Sequence, residues 1–586
     1  MTNDTSTVEV TDVERDESVG MLERSLAQYL MQERGYLELP ADKQTKVQSV
    51  LRSLGSMRFE NRNDLQQVAQ ALLQETARDL VPYIPLALDK AASTIRKGKG
   101  VLVIYTGGTI GSAPKDPNDM DSPQVVRPWS ELKNAAPQMD HLGYPIDAIS
   151  FVQPLDSCNV GPRHWRTMVH IIRDHYDEYE GFVILHGTDS MVYTASALSF
   201  MLLDLGKPVV LTGSQVAGIV NPRNDAHQNM ITALMLANPQ ANRLPLIPEV
   251  IVAFGNKISR GNRCKKMDVI GYQGFYAPNY PLLGEAGEFI IVERKHIRRT
   301  PETALQVFDQ LDTNVIMLEV FPGMQNSPIL ANVLQDDNLQ GVVLKSYGAG
   351  NIPTDPPFLN LFRDFIERGG IVVNVTSVPQ GEVVMGLYET SQVLVDRGMI
   401  GGFDITPEAA MAKLMMLLGS YPDDPATVRR LMQQSIAGEQ HLSLESSTFS
   451  TGGSVSASNP RTDSGRAELS STSDPERIEK VILRFINARL DPGPSDRATV
   501  RLFLNGDTPV GEFRRGRVPA QALVKDDTVG ESVVFDLTEH KQEFVAKTST
   551  GRIQARQKIS FTIEWQGSEG SSFIWDSAEL NIYTAD

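Results

Sequence analysis

Two segments of this chain, VLVIYTGGTIGS (Val101 to Ser112) and GFVILHGTDS (Gly181 to Ser190), each run an apolar strand pattern into a tight turn that carries a threonine. The second turn leads directly into MVYTASALSFMLL, which has the length and apolar character of a buried helix. Strand, short turn and helix in succession specify a parallel sheet covered by helices, and open sheets of that kind build their sites at the carboxyl ends of the strands. Thr109 and Thr188 are thereby placed on one sheet edge, where they can share a cleft.

The glycines make that placement chemically useful. Gly107, Gly108 and Gly111 permit positive φ and let a ligand approach main-chain N–H groups, so the first turn can hold an oxyanion. A threonine hydroxyl is a weak nucleophile at its free pKa and needs a proton acceptor, which Thr188 and Asp189 supply from the neighbouring turn, with a lysine able to complete the relay. TGGTIG lacks both the G-x-G-x-x-G order of dinucleotide folds and the closing G-K-[ST] of a phosphate loop. G-x-S-x-G and H-E-x-x-H are absent as well, which removes the usual serine elbow and the common zinc-hydrolase helix. Taken alone, each segment also reads as a plain βα turn; the pair argues for a site.

The chain has 586 residues, too many for one core, and domains of about 100 to 200 residues give three or four units. Its 55 Lys+Arg against 72 Asp+Glu leave a formal charge of −17, which disfavours nucleic acid and anionic membrane as partners. No stretch reaches the roughly 18 apolar residues of a membrane span, and the opening MTNDTSTVEVTDVERDES is polar and acidic, so a cytoplasmic location is expected. Cys158 and Cys264 are the only cysteines and lack C-x-x-C spacing, which leaves no disulfide framework, zinc site or redox pair. No cofactor and no metal are expected.

Composition divides the chain into six parts. Residues 1–19 read as a disordered N-terminus, and 20–97 carry helical periodicity and read as a helical extension ending at the basic IRKGKG junction. Strands alternate with helices over 98–300, a larger α/β domain, and again over 301–440, a smaller one. Residues 441–476 are rich in Ser, Thr, Gly and Asn, as flexible linkers are. In 477–586, alternation at Ile559, Phe561, Ile563 and Trp565, and at Val500, Leu502 and Leu504 before Asn505-Gly506, predicts antiparallel β structure, a small sandwich.

In YTGGTIG (Tyr105 to Gly111), LDS (Leu155 to Ser157) and FVILHGTDSMVYTASALSFML (Phe182 to Leu202), the chain resembles the L-asparaginases, specifically the cytoplasmic bacterial type I enzymes. KPVVLTGSQ, RGNRCKK, SYGAGN and IVVNVTSVPQG extend the resemblance in order from about Lys97 to Gln440. It implies a two-domain α/β core, here with parallel sheets in both domains, and hydrolysis of L-asparagine to L-aspartate and ammonia without a cofactor. Thr109 is then the nucleophile that forms an acyl-enzyme. Thr188, Asp189 and Lys266 form the proton-relay group, with Lys266 favoured over Lys265 by register. Asp156 and Ser157 hold the α-carboxylate of the substrate, and Asp189 also receives its α-ammonium; an Asx-type turn is the alternative for Asp156 and Ser157. Asn351, in SYGAGN, reaches the site of a neighbouring subunit, which implies a homodimer or homotetramer; a turn residue is the alternative. His186 reads as structural, bonding the site loops, and the two cysteines as small fillers near the cleft.

Two positions depart from the family pattern. From Thr106 through Gly143 there is no tyrosine, where the family carries one that contacts the nucleophile, and Met120 or a nearby aspartate falls roughly at its place. Val378 stands where the type I effector site has a cysteine, so allosteric activation does not carry over. Two alternatives to asparagine hydrolysis stand beside it: a glutamine-hydrolysing amidotransferase subunit, and a weakly active or inactive core whose appended regions bind partners.

Overall fold

The computed structural model describes a strand at Tyr83–Leu86 and most of the chain from residue 99 onward, apart from stretches such as 117–121, 217–222 and 386–393; beyond 449 it describes chiefly strands. The expected disordered N-terminus, most of the helical extension and Met120 lie outside the described residues. The chain divides into two compact units, Met1–Gln310 and Leu311–Asp586.

The first unit is built on a nine-stranded sheet. In chain order its strands are β1 (Tyr83–Leu86), β2 (Val101–Gly107), β3 (Ile146–Leu155), β4 (Gly181–Leu185), β5 (Val209–Thr212), β6 (Val250–Phe254), β7 (Lys257–Arg260), β8 (Gly284–Ala286) and β9 (Ile290–Val292). Their spatial order is β1-β3-β2-β4-β5-β6-β7-β8-β9. The five central strands, β3 to β6 with β2 between β3 and β4, are mutually parallel, whereas β1 and β7 to β9 are antiparallel to their neighbours. The sheet is therefore mixed, a correction to the parallel sheet expected. Short hairpin connections join β6 to β7 and β8 to β9, a longer segment without an α-helix joins β7 to β8, and β1 comes from outside the strand-helix repeat, so no helical crossover imposes parallel pairing there.

One strand also corrects the N-terminal boundary. Tyr83–Leu86 falls within the expected helical extension, yet it pairs antiparallel with β3 from Tyr83 opposite Phe151 to Leu86 opposite Ala148. Its YIPL sequence is short, and a proline is tolerated on an edge strand. At the other boundary, Gln306–Val307 pairs with Leu202–Leu203 and Phe308 N donates to Met201 O at 2.8 Å. Residues 301–310 thus belong with the first unit.

Among the described residues the longer helices of this unit are α1 (Pro162–Asp174), α2 (Met191–Met201) and α3 (Ala226–Ala237). Val101, Val103 and Tyr105 of β2 and Val183 and Leu185 of β4 share one buried cluster with Met230, Ala233 and Leu234 of α3. The alternate residues Leu102, Ile104, Phe182 and Ile184 are buried too, on the opposite face, so the strands read as continuous apolar runs. Helix α2 is buried almost all round, its apolar residues interspersed with small hydroxyl residues that are hydrogen-bonded within the fold. Among the described residues no helix is long and apolar enough to cross a membrane.

The second unit starts with a four-stranded parallel sheet in sequential order: β10 (Val315–Glu319), β11 (Gly341–Ser346), β12 (Ile371–Thr376) and β13 (Ile400–Gly401). Helices α4 (Pro328–Leu334), α5 (Pro356–Glu367), α6 (Pro407–Ser420) and α7 (Pro425–Met432) each open on proline, which suits the first helical turn because its N–H has no partner there. Phe358, Leu359, Phe362 and Phe365 bury one face of α5 against Val342, Leu344 and Val372.

The rest of this unit is antiparallel β. Strands β14 (Leu442–Phe449), β15 (Ile478–Ile486) and β16 (Ser577–Ala585) form one sheet with Ser532–Asp536 and Leu523–Val524. Val481, Leu483 and Phe485 stand directly opposite Ile582, Leu580 and Ala578, and all six are buried. The strands flanking Asn505-Gly506, Thr499–Leu504 and Thr508–Arg514, pair antiparallel as expected. The flexible linker expected over 441–476 is corrected: it holds β14, Gly453–Ser456 and Arg461–Glu468, all paired. Serine and threonine suit both linkers and strands, and the partner of β14 is the last strand of the chain, too distant in sequence to leave a local sign.

Candidate active site

Within the five parallel strands the chain runs β2 to β3 on one side and β4 to β5 on the other. The winding direction therefore reverses between β2 and β4. At such a switch point the loops leaving adjacent strands diverge and open a crevice at their carboxyl ends. Those two loops are the threonine turns.

Gly107 and Gly108 take φ of 115° and 83°, which L side chains rarely adopt, and Gly108 N donates to Leu155 O at 2.9 Å. A Cβ on Gly108 would fall 2.3 Å from Gly187 N, so the backbone of the Thr109 turn touches that of the Thr188 turn. Thr109 opens a single 3-10 turn, Thr109–Gly111, and is half-buried, while Ile110 is buried beneath it.

In the second turn Thr188 is buried and Asp189 exposed. Lys266 reaches both from a short strand, Lys265–Lys266, that pairs with Phe275–Tyr276. Its Nζ donates to Thr188 Oγ1 at 2.9 Å and to Asp189 Oδ1 at 2.6 Å. Lys266 thus bridges the hydroxyl and the carboxylate, and the register places this contact on Lys266 rather than Lys265. An ammonium held by a carboxylate beside a hydroxyl can stabilise negative charge on that oxygen and pass a proton through it.

Asp156 and Ser157 sit in the turn after β3. Asp156 Oδ1 accepts from Cys158 N at 3.2 Å, an Asx turn, and leaves the carboxylate exposed. Ser157 is buried, and its oxygen accepts from Asp189 N at 3.1 Å while Ser190 Oγ donates to Ser157 O at 2.5 Å. The three turns are therefore stitched together: Gly108 against Gly187, and Ser157 against Asp189 and Ser190. Asn351 belongs to the second unit, where its N–H and C=O bond Tyr347 across the turn after β11.

His186 is fully buried, with Nδ1 2.7 Å from Gly187 O and Nε2 2.9 Å from Thr194 Oγ1. Burial pushes its pKa down to about 4, so the ring is neutral at neutral pH. Of the cysteines, Cys264 is buried and Cys158 exposed, so only Cys264 acts as a filler. Tyr105 lies against the Thr109 turn: a Cβ on Gly111 would fall 1.8 Å from its oxygen, and its hydroxyl donates to Arg127 O at 2.6 Å. It packs closely against the turn at Gly111.

Several supports have no sign in the sequence. Asp225 accepts from Gln215 N, Val216 N and Asn229 Nδ2, pinning the turn after β5. Buried Arg260 pairs with buried Glu249 at 2.5 Å and lies 4.3 Å over the Tyr280 ring, fixing the strand that precedes Lys266. Ser190, Trp165 and Thr194 were likewise unread, because each gains its role only by tertiary contact.

Comparison with known proteins gives a consistent set of likenesses. The family model described as asparaginase, N-terminal, matches residues 100–298, and that of the glutaminase/asparaginase C-terminal domain matches 314–432. The chain is 39% identical over 344 residues to L-asparaginase 1 of Escherichia coli, covering 58% of this chain and 98% of that protein. It is 37% identical over 368 residues to the 60 kDa lysophospholipase of Homo sapiens, covering 59% and 62%. Among solved structures, L-asparaginase I of Vibrio cholerae superposes with a TM-score of 0.53 at 35% identity, over 59% of this chain and 99% of that one.

Proposed function

The chain belongs to the asparaginase family, and from that premise we propose that it hydrolyses L-asparagine to L-aspartate and ammonia. The observation that carries the proposal is Lys266 Nζ bridging Thr188 Oγ1 and Asp189 Oδ1 beside the glycine contact that joins the two threonine turns.

In this reading Thr109 Oγ1 attacks the side-chain amide carbon, and the tetrahedral oxyanion is met by main-chain N–H groups of the glycine turn. The hydroxyl proton passes by way of Thr188, with Lys266 and Asp189 steadying the charge, to the amide nitrogen, which leaves as ammonia. Water then attacks the Thr109 ester, releasing aspartate and returning a proton to Thr109. Asp156 and Ser157 receive the α-carboxylate through their turn, and Asp189 the α-ammonium. No cofactor enters the scheme. A homodimer or homotetramer, with Asn351 serving a neighbouring subunit, and a cytoplasmic location belong to the same reading; the scarcity of cysteine supports the latter.

Ammonia release from asparagine and glutamine by the full chain tests it. Asparagine turnover is expected, with a loss of at least about 10⁴-fold in Thr109→Ala at unchanged melting temperature. No release from either amide, or activity that survives Thr109→Ala, would refute the assignment.

A further inference from the structure

His186 lies between the site turns, and its two ring nitrogens are engaged by protein. Gly187 O can only accept, so Nδ1, 2.7 Å away, must carry a proton. In a neutral ring Nε2 is then a bare acceptor, and the Thr194 hydroxyl 2.9 Å from it must donate. Trp165 Nε1, which can only donate, is 2.9 Å from the same Thr194 oxygen. The bonds therefore run in one direction: Trp165 to Thr194, Thr194 to His186, His186 to the Gly187 carbonyl. With the ring neutral no reversed order satisfies every atom.

Thr194 is unusual within its own helix. Ser196 and Ser199 of α2 return their hydroxyl protons to Val192 O and Ala195 O at 2.7 and 2.8 Å, the habit of hydroxyls in helices, whereas Thr194 directs its proton away to His186. The far end of the chain of bonds is the residue where the turns meet. Gly108 approaches Gly187 so closely that a Cβ there would fall 2.3 Å from its nitrogen, and a Cβ on Gly187 would fall 2.6 Å from Ser157 Oγ. Fixing the Gly187 peptide constrains the Thr109 turn, the Ser157 turn and Thr188, the next residue.

We propose that Trp165, Thr194 and His186 form a directional hydrogen-bond wire that holds the Gly187 peptide and, through it, sets the placement of Thr109 against Thr188. All three are positioning residues; none touches the reacting atoms. The inference rests on the amide-hydrolase reading above, since the geometry it protects is that of the two threonines.

The test uses the full-length chain with Thr194→Val, Thr194→Ser and Trp165→Phe, measuring kcat and KM for asparagine and the melting temperature. Misplacement of a reacting group from a distance can cost about 10- to 100-fold, and Thr194→Val should lower kcat by that factor with KM changed less than about threefold. Thr194→Ser, which keeps the hydroxyl, should return kcat to within about threefold of the parent. Trp165→Phe, which keeps the ring and removes the first donor, should lower kcat by about three- to tenfold and serves if Thr194→Val fails to fold. Equal losses in the serine and valine variants, or full kcat in Trp165→Phe, would overturn the proposal.

A second readout does not depend on activity. Ring-¹⁵N NMR of histidine-labelled protein, assigned with His186→Phe, should show His186 neutral and protonated on Nδ1 at pH 7. A ring protonated on Nε2 would refute the wire even in an active enzyme. Conversely, an Nδ1-protonated ring in a chain that releases no ammonia would keep the wire and remove the substrate assignment.

Discussion

Two lysine–carboxylate pairs of nearly equal length lie in the two units. Lys266 Nζ is 2.6 Å from Asp189, with the side chains 18% and 64% exposed, and Lys413 Nζ is 2.5 Å from Glu439, with both at 0%. What separates them is where the remaining capacity goes. Lys413 gives further protons to Met432 O and Gln434 O, and Glu439 accepts from Ile436 N and Ala437 N. These further partners are main chain, so the pair locks the segment leading from α7 to β14. Lys266 instead spends a donor on the Thr188 hydroxyl, and its carboxylate faces solvent. A pair closed on its own backbone holds structure, whereas one left open at a hydroxyl can do chemistry.

The sharpest way to break this contrast is to remove each lysine. Lys266→Met should lower kcat/KM by about 10³- to 10⁴-fold, because the relay loses its cation, while stability changes by less than about 1 kcal/mol, as for exposed ion pairs. Lys413→Met should act in the opposite sense. It leaves Glu439 buried without its cation and should cost about 3–5 kcal/mol of stability, read from urea midpoints, and much of the loss should return in Lys413→Met/Glu439→Leu. If Lys266→Met destabilises as much as Lys413→Met, the distinction between an open and a closed pair fails.

Acid should separate the two units in a smaller but readable way. Burial lowers His164 and His186 from 6.5 to about 4. Below about 6.5 the unfolded chain takes up protons that the fold refuses, so the first unit is fully stable above that value and loses stability as pH falls toward about 4. Glu439 behaves differently: burial opposes its charge, but Lys413 and the loop N–H groups outweigh burial and hold it below its ordinary 4.5. Its contribution is present above about 4.5 and is lost only as pH falls through its lower folded value. Protection factors of the amides in β2 and β4, exchange rates taken relative to the unfolded chain at the same pH, should therefore fall between about pH 6.5 and 4.5 before those in α6 do. The reverse order would show that other groups dominate acid lability.

These contrasts also mark what the sequence could and could not disclose. Strands β2 and β4 were legible because each apolar run leads into a turn of glycine and threonine, and that local grammar also gave Thr109, Thr188 and Asp189 and their common edge. Lys266 was legible only through the register of RGNRCKK. The edge strand Tyr83–Leu86 and strand β14 were not, since each is defined by a partner far along the chain, Phe151 and neighbours for one and Ser577–Ala585 for the other. The pair of Lys413 and Glu439 is of the same kind: a lysine in an apolar helix has no local feature to show that a glutamate 26 positions later closes over it. The chain of Trp165, Thr194 and His186 joins three separate elements and was equally silent.

The smallest effect tests the finest point of the comparison, the register of two adjacent lysines. Lys265 and Lys266 occupy one two-residue strand, opposite Tyr276 and Phe275, and successive side chains on a strand point to opposite faces. With Lys266 turned toward Thr188 and Asp189, Lys265 must point away from them, and its charge acts on the relay only across the strand. Lys265→Ala should therefore leave kcat and KM each within about threefold of the parent, against the loss of about 10³-fold or more in Lys266→Met. A one-residue slip would exchange the two results, because it moves every side chain of a strand to the other face. Steady-state kinetics of the two single variants thus reads the strand register directly, and a dead Lys265→Ala beside an active Lys266→Met would place the relay on the wrong lysine.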